Sequence, residues 1–173
     1  MQLRNYGPAM SDDEDPGPEP GESPKERADR ELGELLNELR VALPGVTVLF
    51  GFLLAVPFAR GWSQTSTFQH DVFLVAFLAT AGAIAFLTAP SSYHRLRFRD
   101  EDKERLVRLA NRFAIGGIAF LAVALTAVVL LVTDVLLSRG GAVAATAGIG
   151  GLLLALWYVL PLAGRIRARR ARS

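Results

Sequence analysis

PSSYHRLRFRDEDKERLVRLANR, residues 90–112, divides the chain in two and decides how each half is read. It carries seven Lys and Arg between two long uncharged apolar runs. Charge of this density does not enter hydrocarbon, so it holds the adjoining ends of both runs on one side of a membrane. Working outward, four runs reach spanning length, about 17 to 25 residues for a hydrocarbon core ~30 Å thick. They are 41–59, 72–89, 113–133 and 142–164, and none contains an internal Asp, Glu, Lys, Arg or His. A buried helix of a soluble protein is seldom so long and so free of charge.

Hydrophobic residues make up 51% of the 173, gathered in blocks rather than spread at a period, which argues against a soluble core. The chain has no cysteine, which removes disulfides, thiolate metal sites and thiol nucleophiles. A net charge of +2 conceals a sorting by position: residues 1–24 hold six acids against Arg4, and the last nine residues hold five arginines and no acid. Sorting of this kind is a topological signal.

Counting Lys and Arg near the runs gives four in 25–40, seven in 90–112 and five in the tail, against Arg60 and Arg139 alone in the two remaining connections. The positive-inside rule then places both termini and the central segment in the cytoplasm. The expected fold is all-α: a four-helix transmembrane bundle of two hairpins, multi-pass in the cell (inner) membrane.

Residues 1–24 are acidic, rich in Pro and Gly, and too poor in large apolar residues to offset ordering entropy, so they read as a disordered tail. They lack the basic start and apolar run of a signal peptide, which leaves the first span to act as its own targeting signal. In 25–43, Leu32, Leu35, Leu36, Leu39 and Leu43 recur at helical spacing, predicting an amphipathic cytoplasmic helix whose stripe packs on protein in preference to the membrane surface. Asp100, Glu101, Asp102 and Glu104 suit a helix start, and Leu106, Val107, Leu109, Ala110 and Phe113 continue the spacing. One unbroken helix is therefore predicted from about Asp100 through the third span. The order helix, span, turn, span, read twice, suggests a weak twofold repeat.

Three polar sets are candidate sites. Asp134 lies about 31 Å along the third span from Phe113, at the outer headgroups. It reads first as an interfacial acid facing water or Arg139, and second as an ion-coupling carboxylate. Asp71 reads first as the cap of the second span. If Asp71 and Asp134 approach one another they make a cation site or proton acceptor, with His70 titrating near neutral pH. At the inner side Tyr93, His94 and Arg95 form either an interface belt or, with Arg40, Asn111 and Arg112, an anion or lipid-headgroup pocket. Asn37, Glu38 and Arg40 are placed to pair with Arg108, Asn111 or Arg112 across the two cytoplasmic helices. In the apolar runs, Ala144, Ala147, Gly148 and Gly151, and Ala79 with Ala83, have the small-residue spacing that lets helices approach closely, within the bundle or between subunits. Pro44, Pro57 and Pro161 read as kinks. The run Arg165–Arg172 suits anionic lipid; nucleic acid has charge alone in its favour.

The strings NELRVALPGVTVLFGFLL (37–54), APSSYHRLRFR (89–99) and ANRF (110–113) resemble a family of small bacterial four-span integral membrane proteins of unassigned function. Some of its members are labelled sodium:proton antiporters. The resemblance covers roughly residues 34–137 and implies the four-span fold, but supplies no catalytic or binding residue to carry over. With no hydrolytic, redox, metal or nucleotide motif, the chain is expected to be a non-enzymatic, cofactor-free accessory or self-associating membrane component. The alternative is a small oligomeric ion-coupled transporter of the sodium/proton type; headgroup chemistry at His94 comes third.

Overall fold

Apolar side chains that recur every seven residues keep facing one neighbour when helices wrap around each other with a left-handed twist. In the computed structural model this repeat runs the length of α1, Pro24–Ala55, where Leu32, Leu39, Val46 and Leu53 are the buried positions. The structure describes residues 23–96, 103–160 and 163–164. The acidic segment 1–22, residues 97–102 of the central segment and the arginine run 165–173 lie outside the described residues, so the readings placed on them are not addressed by it.

The expected amphipathic helix and first span are one rod. Ser23 opens it with a capping box: its hydroxyl accepts from the Glu26 N–H at 3.3 Å, and the Glu26 carboxylate takes the Ser23 N–H at 2.9 Å. Pro24 follows in the first turn, where a missing N–H costs nothing. Pro44 sits on the exposed side and does not end the helix. Beyond Ala55 a 3-10 turn, Val56–Phe58, leads into Gly61, whose φ of 95° is reached without strain only by a residue lacking Cβ.

Helix α2 runs Thr67–Leu96 and α3 runs Lys103–Leu136. The first is longer than the predicted 72–89 at both ends, and it passes through Pro90, which is fully buried. Helix α3 is unbroken from Lys103 through the third apolar run; residues 100–102, where its start was expected, lie outside the described residues. After Leu137 and Ser138, α4 spans Arg139–Leu154 and then loosens into a π turn at 155–159, where the Leu160 N–H reaches back to the Ala155 carbonyl. Pro161, read from the sequence as a kink, lies outside the described residues. Four helices, with apolar stretches at Leu32–Phe58, Thr67–Ser92, Val107–Leu136 and Arg139–Val159, are long and apolar enough to cross a membrane. That is the pattern of a multi-pass membrane protein.

Helices α2 and α3 form the tightest pair, and glycine makes the approach possible. The Phe120 ring lies over Gly82, the Phe86 ring over Gly116, and Leu87 over Gly117. Ala76, Ala79 and Ala83 on α2, with Ala110, Ala114, Ala124 and Ala127 on α3, complete a seam of small buried residues. Between helices in lipid, association rests on such packing rather than on hydrophobic expulsion. Helix α1 lies along the pair: Leu39 and Val46 join Ala83, Leu87 and Ala114 in one cluster, and Leu53 joins Val72, Phe73, Ala76 and Ala127 in a second.

Helix α4 lies at the edge of the bundle. Among the described residues it packs on α3 and on neither α1 nor α2. The arrangement is a three-helix coil with a fourth helix laid on its outside. A two-residue connection explains why α4 lies beside α3, but nothing in so short a link draws it across to α1.

Candidate functional site

At the end where the two hairpins turn, polar side chains from the start of α2 and the end of α3 meet. Ser66 precedes α2, and Gln69 is the third residue of that helix. The Ser66 N–H donates to Gln69 Oε1 at 3.0 Å and the Gln69 N–H to Ser66 Oγ at 3.2 Å, a reciprocal capping box. The amide then works at both ends, because Gln69 Nε2 donates to Asp134 Oδ2 at 2.9 Å, across to the last turn of α3. One side chain closes the start of α2 and ties it to the end of α3.

This replaces two expectations. Asp71 is not the cap: α2 begins four residues before it, and Ser66 does that work. Nor does Asp134 face Asp71 or Arg139, since its partner is Gln69. Residues 69 and 71 are about 200° apart around a helix, so the face that brings Gln69 to α3 turns Asp71 away, and Asp71 is exposed.

His70 belongs to a second small cluster. Thr65 Oγ1 donates its one proton to the Trp62 carbonyl at 2.6 Å, so at its 2.9 Å contact with His70 it must accept, which places the proton on His70 Nε2. The imidazole stands edge-on to the Trp62 ring at 4.5 Å, and Trp62 in turn meets Phe73 at 4.9 Å. Trp62 packs on the buried cluster around Leu53 and Val72, so the polar turn is seated on the core. His70 and Asp134 are therefore each engaged in a separate hydrogen bond that orders a turn or a helix end. Among the described residues no three His, Cys, Asp or Glu side chains are grouped to hold a metal ion.

At the opposite, basic end Asn37, Glu38, Arg40, Arg108, Asn111 and Arg112 are all exposed. The side chains of Tyr93, His94 and Arg95 lie outside the described residues, although their backbone continues α2. Leu32 and Leu39 are buried here, and Leu35 and Leu43 are partly buried against the cluster around Leu39 and Ala83. Tyr158, within the π turn, donates its hydroxyl to the Ile115 carbonyl at 3.3 Å and ties the end of the fourth helix to α3.

The small residues divide. Ala79 and Ala83 are buried inside the α2–α3 seam, whereas Ala144, Ala147, Gly148 and Gly151 are exposed on the side of α4 turned away from the coil. Nothing lies within 4 Å of a Cβ built on Gly148 or Gly151.

Residues 21–161 match a family of unknown function (DUF6328), which covers most of the chain. The chain belongs to that family. No curated protein and no solved structure matches it. The family therefore assigns no activity, and roles come from the geometry of this chain. Gln69 and Thr65, and the glycines at 82, 116 and 117, are structural residues that the sequence does not single out, whereas Trp62 reads as an outer-interface residue but its seat on the core does not show. For Gln69 a signal was present, the Ser-x-x-Gln spacing of a capping box at 66–69.

Proposed function

We propose that the protein is a non-enzymatic membrane component that self-associates through α4, with both termini and the central basic segment in the cytoplasm. The observation that carries this reading is the placement of α4, packed on α3 alone with Ala144, Ala147, Gly148 and Gly151 facing outward. Small residues on a helix in lipid allow another helix to approach closely, and acyl chains gain nothing from them. A second copy supplies the neighbour that α1 and α2 do not.

The test is the oligomeric state in lipid bilayers, read by energy transfer between donor-labelled and acceptor-labelled protein over a range of dilution. Wild type gives transfer that persists on dilution. An Ala144→Leu/Gly148→Leu variant, which roughens the outward face and leaves the α3 side intact, behaves as a monomer. Equal transfer from both removes the proposal.

Ion-coupled transport finds less support. Asp134 is half-buried and lies two residues from the end of α3, with Gln69 as its partner. Transporters place such an acid near the middle of the membrane on an interrupted helix. Sodium-driven collapse of a pH gradient in liposomes, abolished by Asp134→Asn, would restore that reading.

A further inference from the structure

The basic end of the coil has a sharp boundary between apolar and cationic surface, and its depth identifies what meets it. Leu39 of α1 and Ala114 of α3 belong to one buried cluster, and these two helices run in the same direction, so Arg40 and Arg112 stand within about one helical turn of each other in height. Both are exposed, and neither has a hydrogen-bond or ion-pair partner among the described residues. Toward the hairpin end the exposed surface turns apolar at once: Val41 is 77% exposed and Ile115 49%. In the other direction come Asn37 and Glu38 on α1, and Arg108 and Asn111 on α3, all exposed. Glu38 is about 200° around α1 from Arg40, on another side of the helix. Glu34, one turn further off, holds Arg30 at 3.3 Å.

The second polar boundary is the Gln69–Asp134 pair. Twenty-two residues separate Arg112 from Asp134, about 33 Å along a helix, against ~30 Å for a hydrocarbon core. With Asp134 at one face of the bilayer, Arg112 reaches the phosphate level of the other, and Arg40, about one turn inside it, reaches the same level along its side-chain stem. A guanidinium with an exposed apolar neighbour on its bilayer side presents the two chemistries of a phospholipid, a phosphodiester followed by acyl chain.

We infer that Arg40 and Arg112 form an anionic-phospholipid contact belt around the three-helix coil, separate from the arginine run at 165–172 and independent of self-association. Because the belt is anchored on packed helices, lipid bound there stabilises the coil. Lipid bound by the terminal arginines does not.

Thermal unfolding of the full chain in mixed micelles tests this. Adding phosphatidylglycerol in place of phosphatidylcholine raises the melting temperature of wild type by a few degrees. Arg40→Gln/Arg112→Gln loses that increment while melting normally in phosphatidylcholine. A variant with Arg165, Arg167, Arg169, Arg170 and Arg172 all changed to Gln keeps it. Arg60→Gln/Arg139→Gln, which alters the hairpin end, also keeps it. Four results would overturn the belt: no increment in wild type, an increment that survives Arg40→Gln/Arg112→Gln, one that is lost with the terminal arginines, or one reproduced by inorganic phosphate in phosphatidylcholine.

Discussion

Leu87 of α2 lies so close over Gly117 of α3 that a Cβ built on the glycine would stand 2.6 Å from Leu87 Cδ2 and 3.3 Å from the Leu87 backbone nitrogen. The side chain can swing aside, but the backbone cannot without parting the helices. Replacing glycine by alanine within a helix ordinarily gains about 1 kcal/mol. Overpacking a tight contact costs about 1 to 3 kcal/mol, so Gly117→Ala is predicted to be net destabilising. Gly148→Ala, with open space around it, is neutral or stabilising. Unfolding in detergent micelles reads the difference, and equal stabilities would mean that the α2–α3 seam is looser than described.

Threonines in this chain sort by whether the hydroxyl is satisfied. Thr80 is fully buried and donates to the Ala76 carbonyl at 2.7 Å; Thr126 and Thr133 make the same bond one turn back. Thr146 Oγ1 is buried without a partner among the described residues. Removing a satisfied hydroxyl costs about 0.5 to 1.5 kcal/mol, whereas a buried unsatisfied one is itself a penalty of about 1 to 3 kcal/mol. Thr80→Val is predicted to destabilise and Thr146→Val to stabilise, both followed by the same unfolding measurement.

How much was legible in the sequence follows from what each feature depends on. The four long apolar helices and the continuity of α3 from the basic segment depend on local composition and spacing, and both read directly from the chain. The pairing of Gly117 with Leu87 depends on which helix faces which and how closely, and a single sequence does not encode that locally. The isolation of α4 was hidden for the same reason: its small residues predict a contact without saying with what. Asp134 lies two residues from the end of α3, a position that counting along the span gives, whereas the sequence points to Asp71 over Gln69, because an acid beside a span is a stronger signal than an amide.

Gln69 and Asp134 should be energetically coupled. Hydrogen bonds to charged groups contribute about 1.5 to 3 kcal/mol when well sheltered, and this one is half-buried. A double-mutant cycle of Gln69→Ala and Asp134→Ala is predicted to show a coupling of about 1 kcal/mol. Additive losses would leave the two hairpins held together by packing alone.

The capping box at the start of α1 responds to acid. The Glu26 carboxyl is held below its ordinary value of 4.5, first by the Ser23 backbone N–H and then by the Ser23 hydroxyl. A carboxyl lowered in the folded state contributes stability that is present above its ordinary value and lost as pH falls through the lowered one. Amide protection in the first turn of α1, corrected for intrinsic exchange, is therefore predicted to be steady above pH ~4.5 and to decline below it. Ser23→Ala should remove that pH dependence; an unchanged profile would show that the box carries no stability.

The most direct test of the whole account uses the absence of cysteine from the chain. Single cysteines at Ser63 and Ser138 on the hairpin end, at Asn37 and Asn111 on the basic end, and at Val48 and Val123 between them are treated with a membrane-impermeant maleimide on sealed vesicles of one orientation. The first pair is predicted to label from one side only, the second pair from the other side only, and the third pair from neither. Labelling of both ends from the same side, or ready labelling of Val48→Cys and Val123→Cys, would contradict the account.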